Sequence, residues 1–204
     1  MPRTGGYHHG DLRAACLRAA RELLEEDGSA GLSLRAVARR AGVSATAPYR
    51  HYADREALVS AVAAEGYREL AAHLTAAHPA PSAPDDLAAV AVAYVRFALD
   101  HPALFRAMFA EPCDPTSEER VAATEAISQY VQGTVRDAFP GVEDTGALSI
   151  TVWALVHGLA FLHLDGKLDA STPEAVAQQV RASVFALFAA APALKEAITA
   201  DRTA

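Results

Sequence analysis

The chain has 204 residues, 18 basic and 25 acidic, with a net charge of −7. A hydrophobic share of 51% against 21% charged excludes a disordered chain, and the length suits one domain or two modest ones. The acidic balance, taken over the whole chain, argues against nucleic acid, because phosphate contacts draw on Lys and Arg.

Cys16 and Cys113 are too far apart for a disulfide framework or a CxxC metal clip and read as ordinary thiols. The first six residues lack the apolar core of a signal peptide, so the expected location is cytoplasmic. The alanine-rich pattern predicts helix almost throughout, with no stretch alternating like a strand. A stripe of Leu12, Ala15, Cys16, Ala19, Ala20, Leu23 and Leu24 predicts a first helix over 11–27, stopped by Gly28. Ser33 caps a short second helix ending near Gly42, Ser44 a third, and Asp54 a fourth running towards His78. Three prolines within 78–84 break the chain.

Helices follow over 85–100 and from His101-Pro102 to Ala110, then a loop. Thr116-Ser117-Glu118-Glu119 reads as a capping box opening a helix to Phe139. The uncharged stretch 147–164 is just long enough to span a membrane, but its polar residues and His157 favour a core or interface helix. Thr172-Pro173 is an N-cap with a first-turn proline, starting a last helix to Ala191. The expected fold class is all-α with about nine helices.

The informative stretch is 33–52. A short helix, a glycine turn and a second capped helix follow helix-turn-helix grammar. Gly42 permits a left-handed turn, and Val37, Ala38, Ala41 and Val43 form a small apolar seam, so the second helix projects outward. Such a helix can enter a major groove with its amides towards phosphate. A generic helix-glycine-helix corner satisfies the same spacing.

The stretch resembles the DNA-binding region of the TetR family of bacterial regulators. The pattern continues through Tyr49-Arg50-His51-Tyr52-Ala53-Asp54-Arg55-Glu56-Ala57-Leu58 and begins upstream at Tyr7-His8-His9-Gly10-Asp11-Leu12-Arg13. The resemblance implies a helix-turn-helix domain over 1–53, a connecting helix over 54–78 and a ligand-binding and dimerisation domain over 79–204. It implies DNA contacts from Ser33, Arg35, Ser44, Ala45, Thr46, Ala47, Tyr49, Arg50 and His51, with Arg55 holding a phosphate. Arg3, in an N-terminal arm, is either a contact to an adjacent groove or an unengaged tail. Pro48 stands where the family usually has leucine or isoleucine and removes an amide donor, which predicts a recognition helix that starts late or is bent.

Further along, Asp100-His101-Pro102-Ala103-Leu104-Phe105 resembles a segment of family ligand domains, and Trp153-Ala154-Leu155-Val156-His157-Gly158 the Trp-His-Gly signature of one subgroup. Phe97, His101, Phe105, Met108, Phe109, Tyr130, Trp153 and His157, with Tyr94, read as either dry core or an apolar pocket with few polar anchors. The resemblance favours the pocket. Phe161, Leu164, Val184, Phe185, Leu187 and Phe188 would be costly in water, at roughly 25 cal/mol per Å². Monomer core answers that, and so does the four-helix dimer interface that the resemblance implies.

Glu65, Glu69 and His73 share a helix face and His8-His9 neighbour Asp11, but a solvated face and a cap explain both better than a metal. No GxSxG, P-loop, HExxH or GxGxxG occurs, so an enzyme is not expected, and no cofactor or metal is assigned. Residues 1–52 carry eight arginines against five acidic residues, a local +3, while 53–204 carry ten basic against twenty acidic, a local −10. The objection to nucleic acid therefore applies to the second part alone. The expected partners are an operator duplex, an apolar or aromatic effector and a second copy of the chain. The expected role is a ligand-released repressor; an activator, a sensor without DNA binding, or a helical-bundle enzyme are the alternatives.

Overall fold

The computed structural model describes residues 9–201, with side chains for 12–189 apart from Pro84. Among them are eight α-helices and no strand: α1 (His9–Asp27), α2 (Leu34–Arg40), α3 (Arg55–Ala77), α4 (Pro84–Asp100), α5 (Pro102–Phe109), α6 (Glu118–Ala138), α7 (Thr145–Leu164) and α8 (Pro173–Asp201). The expected caps form. Ser33 accepts from the Ala36 amide at 3.2 Å, Asp54 from Ala57 at 2.8 Å and Thr172 from Ala175 at 3.1 Å. At α6 the cap is Ser117, accepting from the Arg120 amide at 3.4 Å, one residue later than the capping box at Thr116 predicts. The ninth expected helix, from Ser44, is absent as an α-helix.

The chain divides into two compact units, and the division departs from the domains expected from sequence. One comprises Met1–Glu69 and His101–Ala126, the other Leu70–Asp100 and Ile127–Ala204. In the first unit α5 joins the N-terminal helices rather than the C-terminal ones. Gly66 makes this possible: a Cβ there would lie 2.6 Å from the Met108 sulfur. The Tyr67 hydroxyl donates to the Met108 carbonyl at 2.9 Å, and Phe109 meets the Tyr67 ring edge-on at 5.3 Å. Arg13 and Arg68 both reach Glu119, Arg21 pairs with Glu69, and the Asp114 amide donates to Ser60 Oγ at 2.8 Å.

In the second unit α4 packs against α7 and α8. Leu87, Val135, Ala138 and Val152 form a buried cluster, with Phe139, Leu148, Leu187 and Phe188 against it. Val176, Val180 and Val184, spaced by four on α8, are almost fully buried. By length and composition α7 is the one helix among the described residues able to cross a membrane, and 33% of its most apolar window is buried in the protein.

Candidate DNA interface and ligand cavities

Helix α2 ends in a two-bond cap built on Gly42, whose φ is 68°. The Val43 amide donates to the Ala38 carbonyl at 3.0 Å and the Gly42 amide to Arg39 at 3.3 Å. An α-helix starting after Ser44 would need the Pro48 nitrogen to donate to the Ser44 carbonyl, and proline has no such hydrogen. That carbonyl instead accepts from the Ala47 amide at 2.9 Å, and the chain continues as a single 3-10 turn, Pro48–Arg50. The Tyr52 amide closes the turn on the Pro48 carbonyl at 3.0 Å. The departure from a straight recognition helix is thus larger than a late start.

Ala47, Pro48 and Tyr52 are buried and anchor this turn. Burial pushes the Tyr52 phenol pKa well up, and its hydroxyl has no partner among the described residues. Ala47 therefore cannot face a base as expected; its side chain points inward because the turn needs an apolar foot. Ser44, Ala45, Thr46, Tyr49 and Arg50 are exposed, as are Ser33 and Arg35 on the preceding segment. His51 is half-buried.

Arg55 has a different task from the expected phosphate contact. Its guanidinium donates to the Leu32 and Ser29 carbonyls at 3.2 and 3.0 Å and pairs with Glu111 at 3.0 Å. The Ser29 hydroxyl and Arg55 together hold the Glu111 carboxyl below its usual range. Arg40 is likewise held by Glu22 and Glu26. Among the described residues Arg35, Arg39 and Arg50 are exposed and make no ion pair. Arg39 was missed from sequence, although its spacing of four from Arg35 puts both on one face of α2. Arg3 lies outside the described residues.

The aromatic set expected to line one pocket falls into both units. Phe105 and Met108 are buried in the first, beside Phe109, and His101 there caps α5 with its carbonyl, accepting from the Phe105 amide at 2.8 Å. Tyr130 and Trp153 belong to the second unit. In that unit Phe97 is buried against His73. The Tyr94 hydroxyl lies 2.9 Å from His157 Nδ1. Burial lowers the His157 pKa, which favours a neutral ring accepting from Tyr94. Trp153 and Phe161 flank that imidazole at 6.0 and 5.0 Å. The Tyr130 hydroxyl donates to the Leu74 carbonyl at 3.4 Å.

Tyr94, Tyr130 and Trp153 do border a cavity, but it measures about 30 Å³, room for a water or two. A second cleft in the same unit measures about 540 Å³ and is lined by Val92, Ala93, Arg96, Asp100, Val176 and Arg181, among others. Sequence reasoning missed it, because Arg96 and Arg181 are brought together only by the packing of α4 on α8.

The expected dimer residues also divide. Val184 is 1% exposed, and Leu187 and Phe188 pack on the core cluster, with Phe188 edge-on to Phe139 at 4.8 Å. These three belong to the protomer core because α8 turns that face towards α4. Phe161 and Leu164 are half-buried, and Phe185 is exposed. The exposed large apolar residues of α7 are Ile150 and Trp153, three apart on one face at 67% and 42% exposure, and Leu162, at 44% and about 180° round the helix from Trp153.

Residues 17–62 match the family model for bacterial regulatory proteins of the tetR family, and residues 87–190 that for the tetracyclin repressor-like C-terminal domain. An HTH-type transcriptional regulator of Mycobacterium tuberculosis, and its counterpart in Mycobacterium bovis, are 30% identical over 143 residues, 69% of this chain. The match spans 61% of the length of those curated relatives. A Rhodococcus protein of unknown function is 36% identical, with a TM-score of 0.74 over 89% of this chain and 97% of its own. A bacterial regulatory protein in the tetR family, also from Rhodococcus, shares the fold at 22% identity and a TM-score of 0.63, over 85% of this chain and 95% of its own.

Proposed function

The chain belongs to the tetR family of bacterial regulators, and from that premise we propose that it is a cytoplasmic, DNA-binding transcriptional repressor, active as a homodimer and released by a small molecule. The observation that carries the reading is the exposed surface of Arg35, Arg39, Thr46, Tyr49 and Arg50 around a buried foot of Ala47, Pro48 and Tyr52. The cations hold phosphates and set register; Ala45 and Thr46 meet base edges, with their methyl groups suited to thymine methyls.

A local surplus of +3 is small for a DNA-binding head, so two copies are needed for useful affinity. The face of α7 that carries Ile150 and Trp153, with Phe185 beside it in the dimer, supplies the contact between copies. Two heads then read a near-palindromic operator whose half-sites lie about one helical turn apart, or a multiple of it. An effector in the second unit releases DNA by binding the DNA-incompetent form more tightly than the competent one. The cleft of about 540 Å³ has room for it.

A labelled duplex taken from upstream of the chain's own coding sequence tests the proposal. Purified protein is expected to shift it as a dimer, and a small molecule to reverse the shift. Failure to shift that DNA at low salt contradicts the reading.

A further inference from the structure

We infer that the cleft between α3, α4 and α8 binds an amphipathic carboxylate, its head held by Arg96 and Arg181 and its apolar body laid along Val92, Leu99 and Val176. Its consequence for DNA release rests on the repressor reading above; the binding itself does not.

The volume comes first. About 540 Å³ falls within the roughly 300–1,000 Å³ usual for small-molecule sites. The space exists because Ala77, Ala89, Ala93 and Ala170 line it with side chains that stop at Cβ. The walls are therefore apolar but shallow, suited to a flexible chain rather than a fixed ring.

The charge is the more specific signal. The second unit has six basic and eleven acidic residues in sequence, a net −5. Two of those six cations line this one cleft, and neither makes an ion pair among the described residues. A cation in the last turn of a helix answers the helix dipole, but Arg96 lies before the last turn of α4 and Arg181 well inside α8, so the dipole explains neither. Asp100, four residues after Arg96, also lines the cleft. The two guanidiniums and this carboxylate together carry +1. That suits a head of single negative charge and disfavours a dianionic phosphate ester.

Calorimetric titration of the full chain with decanoate, decyl phosphate and decanol tests the inference. Decanoate is expected to bind, and decanol, of equal length and no charge, at least about tenfold more weakly. Arg96→Gln and Arg181→Gln should each weaken decanoate by about tenfold, and both residues are exposed, so the unliganded variants should melt like the parent. Arg136→Gln, an exposed arginine outside the cleft, should change nothing. The inference is overturned by no decanoate binding, by equal binding of decanol, or by indifference to Arg96 and Arg181. An equal loss in Arg136→Gln, or tighter binding of decyl phosphate, also overturns it. A chain that titrates with decanoate but shifts no DNA sinks the repressor reading and leaves this one standing.

Discussion

In the unit that carries Arg35 and Arg50, five arginines hold the protein to itself; in the unit of Leu70–Asp100 and Ile127–Ala204, two arginines face an open cleft. The first unit ties Arg13 and Arg68 to Glu119, Arg21 to Glu69, Arg40 to Glu22 and Glu26, and Arg55 to Glu111. Pairs this exposed contribute little stability, about 0–1 kcal/mol each. Their larger effect is to neutralise cations elsewhere and leave Arg35, Arg39 and Arg50 as the unpaired ones around the turn. The second unit is held instead by apolar packing along α4, α7 and α8, and its uncompensated charge marks the cavity. Two aromatic residues that look alike in sequence therefore have different work in the two units.

The largest effect expected from this contrast is at Phe105, fully buried in the first unit. Phe105→Ala should cost about 3–5 kcal/mol in urea unfolding, whereas Trp153→Ala, 42% exposed in the second unit, should cost below about 1 kcal/mol. A reversed order would return Phe105 to a pocket lining. Next comes the outward face of α7. Ile150→Glu should weaken self-association by about 2 kcal/mol or more in sedimentation, with the protomer's own melting little changed. Unaltered association would move the interface elsewhere.

The difference between the units also explains what could be read from sequence. Local signals were legible: the caps at Ser33, Asp54 and Thr172, the left-handed stop at Gly42, and the break before α4 each depend on residues within one turn. Pro48 told of a damaged recognition helix, because a missing amide is visible in the residue itself. Its full consequence, a 3-10 turn with Ala47 buried, depends on what that turn packs against. Partners distant in sequence were not legible. Periodicity gives α5 an apolar face without saying that Gly66 and Tyr67 receive it. The same pattern permits Arg55 to face phosphate or, as found, the Leu32 and Ser29 carbonyls. Val184 and Phe185 are adjacent in sequence and equally apolar, and only the packing of α8 puts one inside and the other out.

The smallest expected effect is one of pH in the second unit. Burial lowers the His157 pKa below its ordinary 6.5, so the unfolded chain takes up a proton there before the folded one does. The stability tied to the neutral ring is complete above about 6.5 and is lost as pH falls from there through the folded value. His157→Gln should flatten that part of the stability curve. A curve unchanged by the substitution would mean that the ring titrates alike in both states.

The repressor reading is tested most directly by anisotropy titration of the upstream duplex across a salt series, with the parent chain and Arg50→Ala. Affinity should fall steeply as salt rises, and the variant's slope should be shallower by about one per arginine removed. Binding that is absent, or that ignores both salt and Arg50, would contradict the account.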